Sequence, residues 1–431
     1  MTPRHVVLAA LGSLGDLHPA MAVAIELRSR GHRVTLVSHE MYRARVEGEG
    51  LGFAALPPNL ADLGDLSETM RKAMEGADAS RYVIRRFVLP YMEATYDAIM
   101  AASRDADLLV SHPLTFAVPI VAEKRGLPWA STALQPLVLF SALDPSVWPQ
   151  VPWLEPWGRR HPGIYRAFFA LGKAVSRPWM RPVARVRAAA GLPPSPLHPS
   201  FEGMVSPALH LVLFSRAFAA PQADWPASSV QCGFAFYDRE DKAHGLPPEL
   251  AAFLAAGPPP IVFTLGSSAV HAAGAFYTDA ARAAARLGRR AVLLVGRETQ
   301  NVLPDPLPAG VAAFPYAPFS ELFPHAAANV HQGGAGTTGQ ALRAGRPMVV
   351  VPFAHDQADH AARVERLGVG LALPRERCDE ARLVATVARV LEEPGFAARA
   401  AAVGAEIRVE NGAVAAADAL ERLLTAKAGG A

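Results

Sequence analysis

The sequence predicts an α/β protein built from two doubly wound parallel-sheet domains that face each other. At 431 residues the chain is too long for one ordinary hydrophobic core and suits two domains of about 200 residues each. Its residues are 51% hydrophobic and 19% charged, which is typical of a well-packed folded protein. Short apolar runs alternate with helical segments in both halves, as in parallel sheets covered by helices.

In the first half, the apolar residues 5–11 are typical of a buried strand, and a turn is predicted over 12–16. A helix is predicted to start at Pro19 and to continue over 21–30, before a second strand at 33–37. This strand–helix–strand order predicts a doubly wound domain. Further strands of the same sheet are predicted at 108–111, 129–132 and 208–214.

The second half repeats this architecture. Strands are predicted at 261–265, 291–295, 311–314, 328–330 and 348–351, and the clearest helices at 335–344 and 358–367. The proline-rich residues 221–260 suggest a linker. We therefore predict domains over 1–222 and 223–405, with a C-terminal helix over 406–431 that packs back on the first domain. Ligands are expected in the cleft between the carboxyl ends of the two sets of strands.

Composition excludes several classes of protein. The net charge is +3, which lacks the strongly basic character of a nucleic-acid-binding protein, so no nucleic-acid partner is expected. Cys232 and Cys378 have no metal-ligand spacing and are predicted to be buried thiols in a reducing compartment. No uncharged apolar run is long enough to span a membrane, and no cleavage site follows the first apolar run. A cytoplasmic location is expected.

The strongest motif is Val-His-Gln-Gly-Gly-Ala-Gly-Thr-Thr over 330–338, between a strand and a helix. Glycines let the backbone approach an anion, and a helix N-terminus supplies unpaired N–H groups and a positive dipole. We expect a diphosphate cradle, with His331 as a further donor and Thr337 contributing its hydroxyl. A purely structural turn is the alternative.

A second motif, Val-Pro-Phe-Ala-His-Asp-Gln over 351–357, also joins a strand to a helix. The Asp356 carboxylate is predicted to accept two hydrogen bonds from sugar hydroxyls, and the Gln357 amide to donate and accept. Helix capping by Asp356 is the alternative.

Asp16 lies in the first strand-to-helix turn, where a carboxylate can act as general base toward an acceptor hydroxyl. Its pKa is expected to be raised somewhat by burial. Two alternatives remain open, namely that Asp16 only caps the following helix, and that His18 is the base.

Asp105-Ala106-Asp107 has the carboxylate-x-carboxylate spacing of metal-dependent sugar transferases. We interpret it as solvated polar residues before a strand and expect no metal site. No G-x-G-x-x-G follows the first strand, so the sequence gives no indication of a nicotinamide cofactor.

Residues 159–187 contain eight Arg or Lys and no acidic residue, interleaved with aromatic side chains. One interpretation is a surface helix whose basic side chains extend over apolar neighbours. The other is a peripheral contact with lipid headgroups at the inner membrane face.

These motifs resemble the family 1 glycosyltransferases of the GT-B type, which have two facing Rossmann-like domains, and the resemblance is most specific over 264–373. It looks closest to bacterial rhamnosyltransferases and glucosyltransferases of lipids, sterols and polyketides. The resemblance implies that a nucleotide-sugar donor binds at Gly15, Ser267, Tyr316, Ala317, His331, Gly333, Gly334, Ala335, Gly336, Thr337, Asp356 and Gln357. Tyr316 would stack on the nucleobase, and Ser267 lies in the loop that closes over the phosphates.

Two positions depart from the common pattern of the family. Many members carry a histidine base in the first turn, where this chain has Asp16, so Asp16 is predicted to act without a histidine partner. Gly339 stands where many users of uridine diphosphate carry a glutamate for the ribose hydroxyls. The choice between a uridine and a deoxythymidine donor therefore stays open.

The resemblance implies an inverting, metal-independent transfer of a glucose- or rhamnose-type sugar to a small apolar acceptor of the lipid, sterol, polyketide or flavonoid type. Asp16 and His331 are the predicted catalytic residues. The acceptor is expected in the first domain, beside His18, Phe140, Trp148, Trp153 and Phe169. A nucleotide-sugar epimerase and an inactive helper of a true transferase are the alternatives, and the oligomeric state stays open.

Overall fold

The computed structural model describes residues 2–59, 64–238, 245–297 and 301–428. Two parallel sheets make up the core, in the strand orders β3-β2-β1-β4-β5-β6-β7 and β10-β9-β8-β11-β12-β13. The strands are β1 His5–Ala9, β2 Arg33–Ser38, β3 Gly52–Ala55, β4 Leu108–Ser111, β5 Trp129–Ala133, β6 His210–Val212, β7 Ser229–Gln231, β8 Ile261–Thr264, β9 Ala291–Leu294, β10 Val311–Phe314, β11 Ala328–His331, β12 Met348–Val350 and β13 Gly370–Ala372.

Helices cover both faces of each sheet. They are α1 Leu14–Ser29, α2 Arg43–Gly48, α3 Leu66–Ala73, α4 Ala79–Val83, α5 Met92–Ala102, α6 Ala117–Arg125, α7 Leu154–Arg160, α8 Pro162–Ser176, α9 Arg181–Ala189, α10 Pro248–Ala255, α11 Gly266–Ala269, α12 Phe276–Arg286, α13 Phe319–Leu322, α14 Ala335–Ala344, α15 Gln357–Leu367, α16 Glu380–Glu392, α17 Pro394–Arg408 and α18 Gly412–Ala428. Among the described residues, no helix is long and apolar enough to cross a membrane.

The predicted fold class is confirmed, and the buried central strands lie within two residues or so of their predicted positions. Three strands, β3, β7 and β13, were not predicted from the sequence. All three are edge strands, and their side chains are mostly half-buried or exposed. An edge strand pairs through its backbone on one side only, so it needs no continuous apolar run to mark it.

The first sheet extends past the expected domain boundary, because β7 lies beyond residue 222 and pairs with β6. The chain then crosses to the second sheet, and α18 returns to pack against α1. On that helix pair the Arg30 guanidinium contacts Asp418 at 2.5 Å and Glu421 at 2.8 Å. The expected C-terminal helix is therefore α18, which begins at Gly412 rather than at 406.

Helix α1 begins earlier than the sequence predicted. Ser13 is its N-cap, and a capping box joins Ser13 to Asp16 at the third helical position. Pro19 consequently lies inside the helix instead of starting it. The box pairs N–H groups of the first turn, and Pro19 withdraws only the one donor that would reach the Gly15 carbonyl, so the helix can start before the proline.

A buried charge network joins the two domains. Arg363 on α15 of the second domain donates to Asp359 at 2.8 Å and to Asp144 of the first domain at 2.5 Å. Asp359 also accepts the backbone N–H of Val147 of the first domain at 3.0 Å. The side chains of Arg363 and Asp359 are 3% and 0% exposed, so these charges depend on one another for solvation. This network is one of the contacts that join the two domains, beside an apolar cluster with members from both.

Removing Arg363 is expected to destabilise the protein strongly. Arg363→Met leaves the fully buried Asp359 without its guanidinium, whereas Asp144 is partly exposed and keeps Arg159 at 3.4 Å. We therefore expect a loss near the lower end of the about 3–5 kcal/mol that is typical of breaking a buried ion pair. Chemical denaturation monitored by tryptophan fluorescence measures the loss. As a matched control, Arg382→Met removes an exposed ion pair with Asp379 and should cost about 1 kcal/mol or less. Equal effects of the two substitutions would show that the buried network does not hold the domains.

Candidate active site

Two helix N-termini meet across the cleft between the sheets. A Cβ placed on Gly336, in the first turn of α14, would lie 3.7 Å from the Cα of Gly15 in the first turn of α1. The N-cap residue of α14 is Gly334, and no side chain caps this helix. Its first N–H groups and the positive end of its dipole are therefore available to an anion.

Close backbone packing explains the glycines of this loop. Gly333 has φ +90°, and a Cβ there would lie 2.7 Å from Val350 Cγ1. Gly266, on the neighbouring loop, has φ +65°, and a Cβ there would lie 2.4 Å from Gln332 Nε2. Ser267 follows Gly266 and is exposed at the same loop. The two loops thus lie in contact. Gly334 and Ala335 are half-buried.

His331 does not present its ring to the cleft, contrary to the prediction of a phosphate donor. The ring is fully buried, Nδ1 accepts the Gly333 N–H at 3.0 Å, and Nε2 lies 3.4 Å from Met348 Sδ. Burial lowers its pKa to about 3, so the ring is neutral. His331 is the last residue of β11 and lies in the core. Its ring supports the glycine loop by accepting the hydrogen bond from the Gly333 N–H.

Thr337 sits beneath the first turn of α14 and is 7% exposed. Its hydroxyl oxygen lies 3.3 Å from Gln332 Nε2, which leaves the hydroxyl proton for another acceptor. The Gln332 Oε1 atom is buried and has no hydrogen-bond partner among the described residues. Gln332 is a member of this site to which the sequence motif alone assigned no role.

Asp356 is the N-cap residue of α15, but its side chain makes no capping hydrogen bond. The capping alternative therefore does not account for the carboxylate. Burial raises its pKa, and the negative charge of Asp16 adds to this effect across the cleft. The closest basic group is His360, whose Nε2 lies 3.5 Å away. One carboxylate from each domain thus faces the same space.

Gln357 folds back on its own loop. Its Oε1 accepts the backbone N–H groups of Phe353 at 2.8 Å and Ala354 at 3.2 Å, so the predicted acceptor function toward a ligand is wrong and only Nε2 remains for one. The neighbouring His355 has φ +58°, a conformation that costs energy for any residue but glycine. His355 Nδ1 lies 2.8 Å from Ser80 Oγ, so the first domain also contacts this motif.

Asp16 and His112 form a pair at the carboxyl ends of β1 and β4. His112 Nε2 lies 3.2 Å from Asp16 Oδ1, and His112 Nδ1 accepts the Leu114 N–H at 3.3 Å, which places the ring proton on the side of Asp16. The other carboxylate oxygen accepts the Ser13 N–H at 2.8 Å. Gly12, at φ +139°, leaves room for this arrangement, because a Cβ there would lie 2.2 Å from Asp16 Oδ2.

The pKa of Asp16 is lowered, not raised as expected. Burial pushes it upward, but the His112 N–H and the donors of Ser13 outweigh burial. The side chain is 30% exposed, so the ionised carboxylate stays accessible from the cleft. Asp16 is not the N-cap residue, which is Ser13, but it occupies the third helical position of the capping box and also faces the cleft.

His18 is held away from the role of base. Its Nε2 lies 2.9 Å from the Arg45 guanidinium, which can only donate, and its ring packs 5.0 Å from that of Tyr237. Burial and the charge of Arg45 lower its pKa to about 4. The ring nitrogen Nε2, which would have to take the proton if His18 were the base, already accepts a hydrogen bond from Arg45.

Asp105 and Asp107 lie at the opposite edge of the sheet, at the amino end of β4. Asp105 is solvated as expected, with 64% of its side chain exposed, and Asp107 is 34% exposed. Both also make ion pairs: Asp107 with Arg4 at 3.0 Å, and Asp105 with Arg33 and His5. Their ion pairs hold the amino ends of β1, β2 and β4 together.

The predicted base-binding segment lies at the end of β10. Ala317 is fully buried, whereas Tyr316 is 38% exposed. The Arg297 guanidinium lies 4.7 Å from the centroid of the Tyr316 ring. A planar base at this ring would meet a cation as well as an aromatic surface.

Three of the four predicted acceptor aromatics pack together in the first domain. Phe140 stacks on Trp148 at 6.1 Å and meets Phe169 edge-on at 5.6 Å. Trp153 is not part of this cluster but is 64% exposed at the start of α7. The Trp148 indole N–H is buried and has no partner among the described residues, so it is available to a ligand.

Comparisons with known proteins agree with this geometry. Residues 6–139 match the glycosyltransferase family 28 N-terminal domain, and residues 282–423 match the erythromycin biosynthesis protein CIII-like C-terminal domain. The chain is 33% identical over 423 residues to O-mycaminosyltylonolide 6-deoxyallosyltransferase of Streptomyces fradiae, covering 95% of this chain and 94% of that protein. The chain belongs to the family 1 GT-B glycosyltransferases.

Other relatives extend this result. Vancomycin aglycone glucosyltransferase of Amycolatopsis orientalis is 32% identical, with 96% of each chain covered. The solved glycosyltransferase of kitacinnamycin has a TM-score of 0.72 at 24% identity, covering 98% of this chain and 100% of that one. This glycosyltransferase is accordingly a nucleotide-sugar-dependent hexosyltransferase.

Sequence reasoning missed His112, although a signal existed. His112 directly follows β4, which pairs with β1, and residues after neighbouring parallel strands share one edge of the sheet. The burial of Arg363 and Asp359 could not be predicted from the sequence, since a helix with alternating charges normally faces solvent.

Because the N-terminus of α14 is uncapped, we expect one substitution there to stabilise the helix and to weaken the binding of a nucleoside diphosphate. Gly336→Asp places a negative charge in the first turn, which should stabilise the helix by about 0.3–1 kcal/mol. The same charge should repel a nucleoside diphosphate and weaken its binding about tenfold or more. Thermal denaturation and calorimetric titration measure the two effects. The neutral control Gly336→Asn should bind more tightly than the aspartate variant; equal affinities would place the diphosphate elsewhere.

Proposed function

We propose that this glycosyltransferase transfers a hexose from a dTDP-sugar to a hydroxyl of a small apolar acceptor by a single inverting displacement, with Asp16 as general base. The observation that carries this proposal is the position of the Asp16–His112 pair opposite the uncapped N-terminus of α14. The base and the anion site lie on opposite domains across one cleft, as an in-line displacement requires.

Asp16 would take the acceptor proton while the acceptor oxygen forms a bond to the anomeric carbon. The bond between that carbon and the diphosphate breaks, and its electron pair leaves with the diphosphate. The lowered pKa of Asp16 keeps it ionised at neutral pH. The N–H at His112 Nε2 donates to one oxygen of Asp16, so the carboxylate keeps its orientation.

The helix N-terminus supports departure of the diphosphate. Its N–H groups are aligned before the reaction, so they stabilise the growing negative charge without reorganising. Thr337 offers its hydroxyl proton beneath the same turn. Asp356 is suited to accept sugar hydroxyls, because its carboxylate faces the cleft without a capping bond.

Gly339 supports a deoxythymidine donor over a uridine donor. A Cβ at Gly339 would lie 3.0 Å from the ring of Phe234, so a glutamate for ribose hydroxyls has no room while Phe234 is in place. One neighbour in fold, the glycosyltransferase VinC with a TM-score of 0.67, was solved in complex with dTDP. A deoxyribose needs no partner for a 2′-hydroxyl.

The aromatic cluster supports an apolar, oxygen-bearing acceptor. It lies beside α15, because the loop that carries Trp148 is joined to Asp359 through the N–H of Val147. The free indole N–H of Trp148 is suited to an acceptor oxygen. The relatives named above act on O-mycaminosyltylonolide and on the vancomycin aglycone, and we infer an acceptor of the same polyketide or aglycone class.

Substituting the two candidate bases distinguishes them. Asp16→Asn keeps the size and the hydrogen-bonding capacity but removes the proton acceptor, and it should lower kcat about a hundredfold or more. His18→Gln should change kcat far less, since the His18 ring nitrogen already accepts from Arg45. Transfer is followed by chromatography at saturating donor. A dead His18 variant beside an active Asp16 variant would reverse the assignment.

Removing His112 should move the acidic limb of the pH profile. In the wild type, kcat/KM should fall only as the pH drops through a pKa below the ordinary aspartate value. His112→Ala removes the hydrogen bond and the charge that lower this pKa, while burial still raises it, so the limb should move to higher pH. The Asp16→Asn variant is the control, and its residual rate should lack this limb. An unchanged limb in His112→Ala would mean that the two residues do not interact during turnover.

Donor identity and metal dependence can be tested on the same protein. dTDP should raise the melting temperature more than UDP at equal concentration, because a ligand that binds only the native state stabilises it.

Exhaustive chelation should leave transfer unchanged, and NMR of the product should show inversion at the anomeric carbon. Activity that is lost on chelation and restored by magnesium would contradict the metal-independent mechanism.

A further inference from the structure

The apolar side chains of helix α8 are covered over its first half, where Ile164 and Phe168 also pack on the aromatic cluster, and exposed toward its end. Tyr165 and Phe169 point inward and are buried in the aromatic cluster. A second stripe runs along the helix at positions 164, 168, 171 and 175, the spacing of one helical face. In this stripe Leu171 is 63% and Val175 56% exposed, so the outer end of the stripe lies in solvent.

Exposed apolar side chains concentrate around this helix. Among the described residues, six of the ten large hydrophobic side chains that are exposed lie between 143 and 197, and they are Leu143, Trp153, Trp157, Leu171, Val175 and Leu197. Trp153 and Trp157 lie one turn apart on α7, which packs against α8. Tryptophan is enriched where a protein surface meets the headgroup region of a bilayer.

The charge of the same surface is mainly positive, with Glu155 on α7 paired to Arg159. No acidic residue occurs between 159 and 187. Some of its cations are neutralised by other segments, as in the pair of Arg187 with Glu123 at 2.7 Å. Arg160, Arg166, Arg181 and Arg185 make no ion pair within the described part of the chain. Exposed cations beside exposed tryptophans match an anionic lipid surface in charge and in polarity.

We propose that the surface formed by α7, α8 and α9 docks reversibly on an anionic lipid bilayer. The arginines contact lipid phosphates, and the exposed side chains of Trp157 and Leu171 enter the headgroup region. Because the inner face of α8 carries Tyr165 and Phe169 of the aromatic cluster, docking places that cluster one helix away from the lipid. A bilayer-dissolved acceptor then meets the enzyme at its own acceptor domain.

Sedimentation with vesicles tests this docking on the full-length protein. Vesicles of phosphatidylcholine mixed with phosphatidylglycerol should bind it, binding to phosphatidylcholine alone should be much weaker, and added salt should release it. The double variant Arg160→Gln/Arg166→Gln should bind the anionic vesicles about tenfold less tightly or weaker. Trp157→Ser/Leu171→Ser should lose affinity at high and low salt alike, since it removes apolar contact.

A matched control keeps the experiment specific. Arg289→Gln/Val409→Ser removes an exposed cation and an exposed apolar side chain from the rest of the surface and should bind like the wild type. All variants should keep the wild-type thermal shift with dTDP, which checks folding independently of lipid. Equal binding to neutral and anionic vesicles, an equal loss in the control variant, or binding to duplex DNA in place of vesicles would each overturn the proposal.

Discussion

The buried guanidinium of Arg363 links the two domains. It pairs with Asp359 on its own helix and with Asp144 on the opposite domain, at distances of 2.8 and 2.5 Å. A charge at this depth is tolerated only with partners in place, and separation of the domains would leave Arg363 with Asp359 alone. The same helix begins with Gln357, directly after Asp356. The helix that links the domains therefore also carries the donor-side carboxylate at its start.

Within that frame, the two carboxylates of the cleft are in opposite electrostatic environments. Three donor groups of His112 and Ser13 surround Asp16 and lower its pKa, whereas burial and the charge of Asp16 raise the pKa of Asp356. The lower pKa keeps Asp16 ionised, so that its carboxylate is free of a proton when the acceptor hydroxyl arrives. The uncapped N-terminus of α14 supplies positive potential between them. A diphosphate can thus be held by backbone groups and a helix dipole.

Several sequence motifs serve the fold more than the ligand. His331 and the oxygen of Gln357 both satisfy backbone N–H groups of their own loops, because a tight loop beside a buried strand must pair its N–H groups internally. Their part in binding is indirect, through the shape of the loop. His18 is likewise engaged by Arg45. A residue in a family motif can therefore be required at its position without touching the substrate.

By itself the sequence determined the fold class, the central strands, the glycine loop and the positions of Asp16 and Asp356. These features are local, since apolar runs, glycines and turn residues carry their meaning within about ten residues of chain. Only the tertiary structure decided what each side chain faces. Asp16 forms a hydrogen bond with His112, which follows a strand almost a hundred residues away in the chain, and Arg363 forms one with Asp144 of the other domain. The edge strands β3, β7 and β13 were not predicted either, because their half-exposed side chains leave no apolar pattern, whereas the edge strand β10 was predicted from its apolar run. Contacts between side chains that are distant in the chain depend on how the helices and sheets pack, and no single segment of sequence determines that packing.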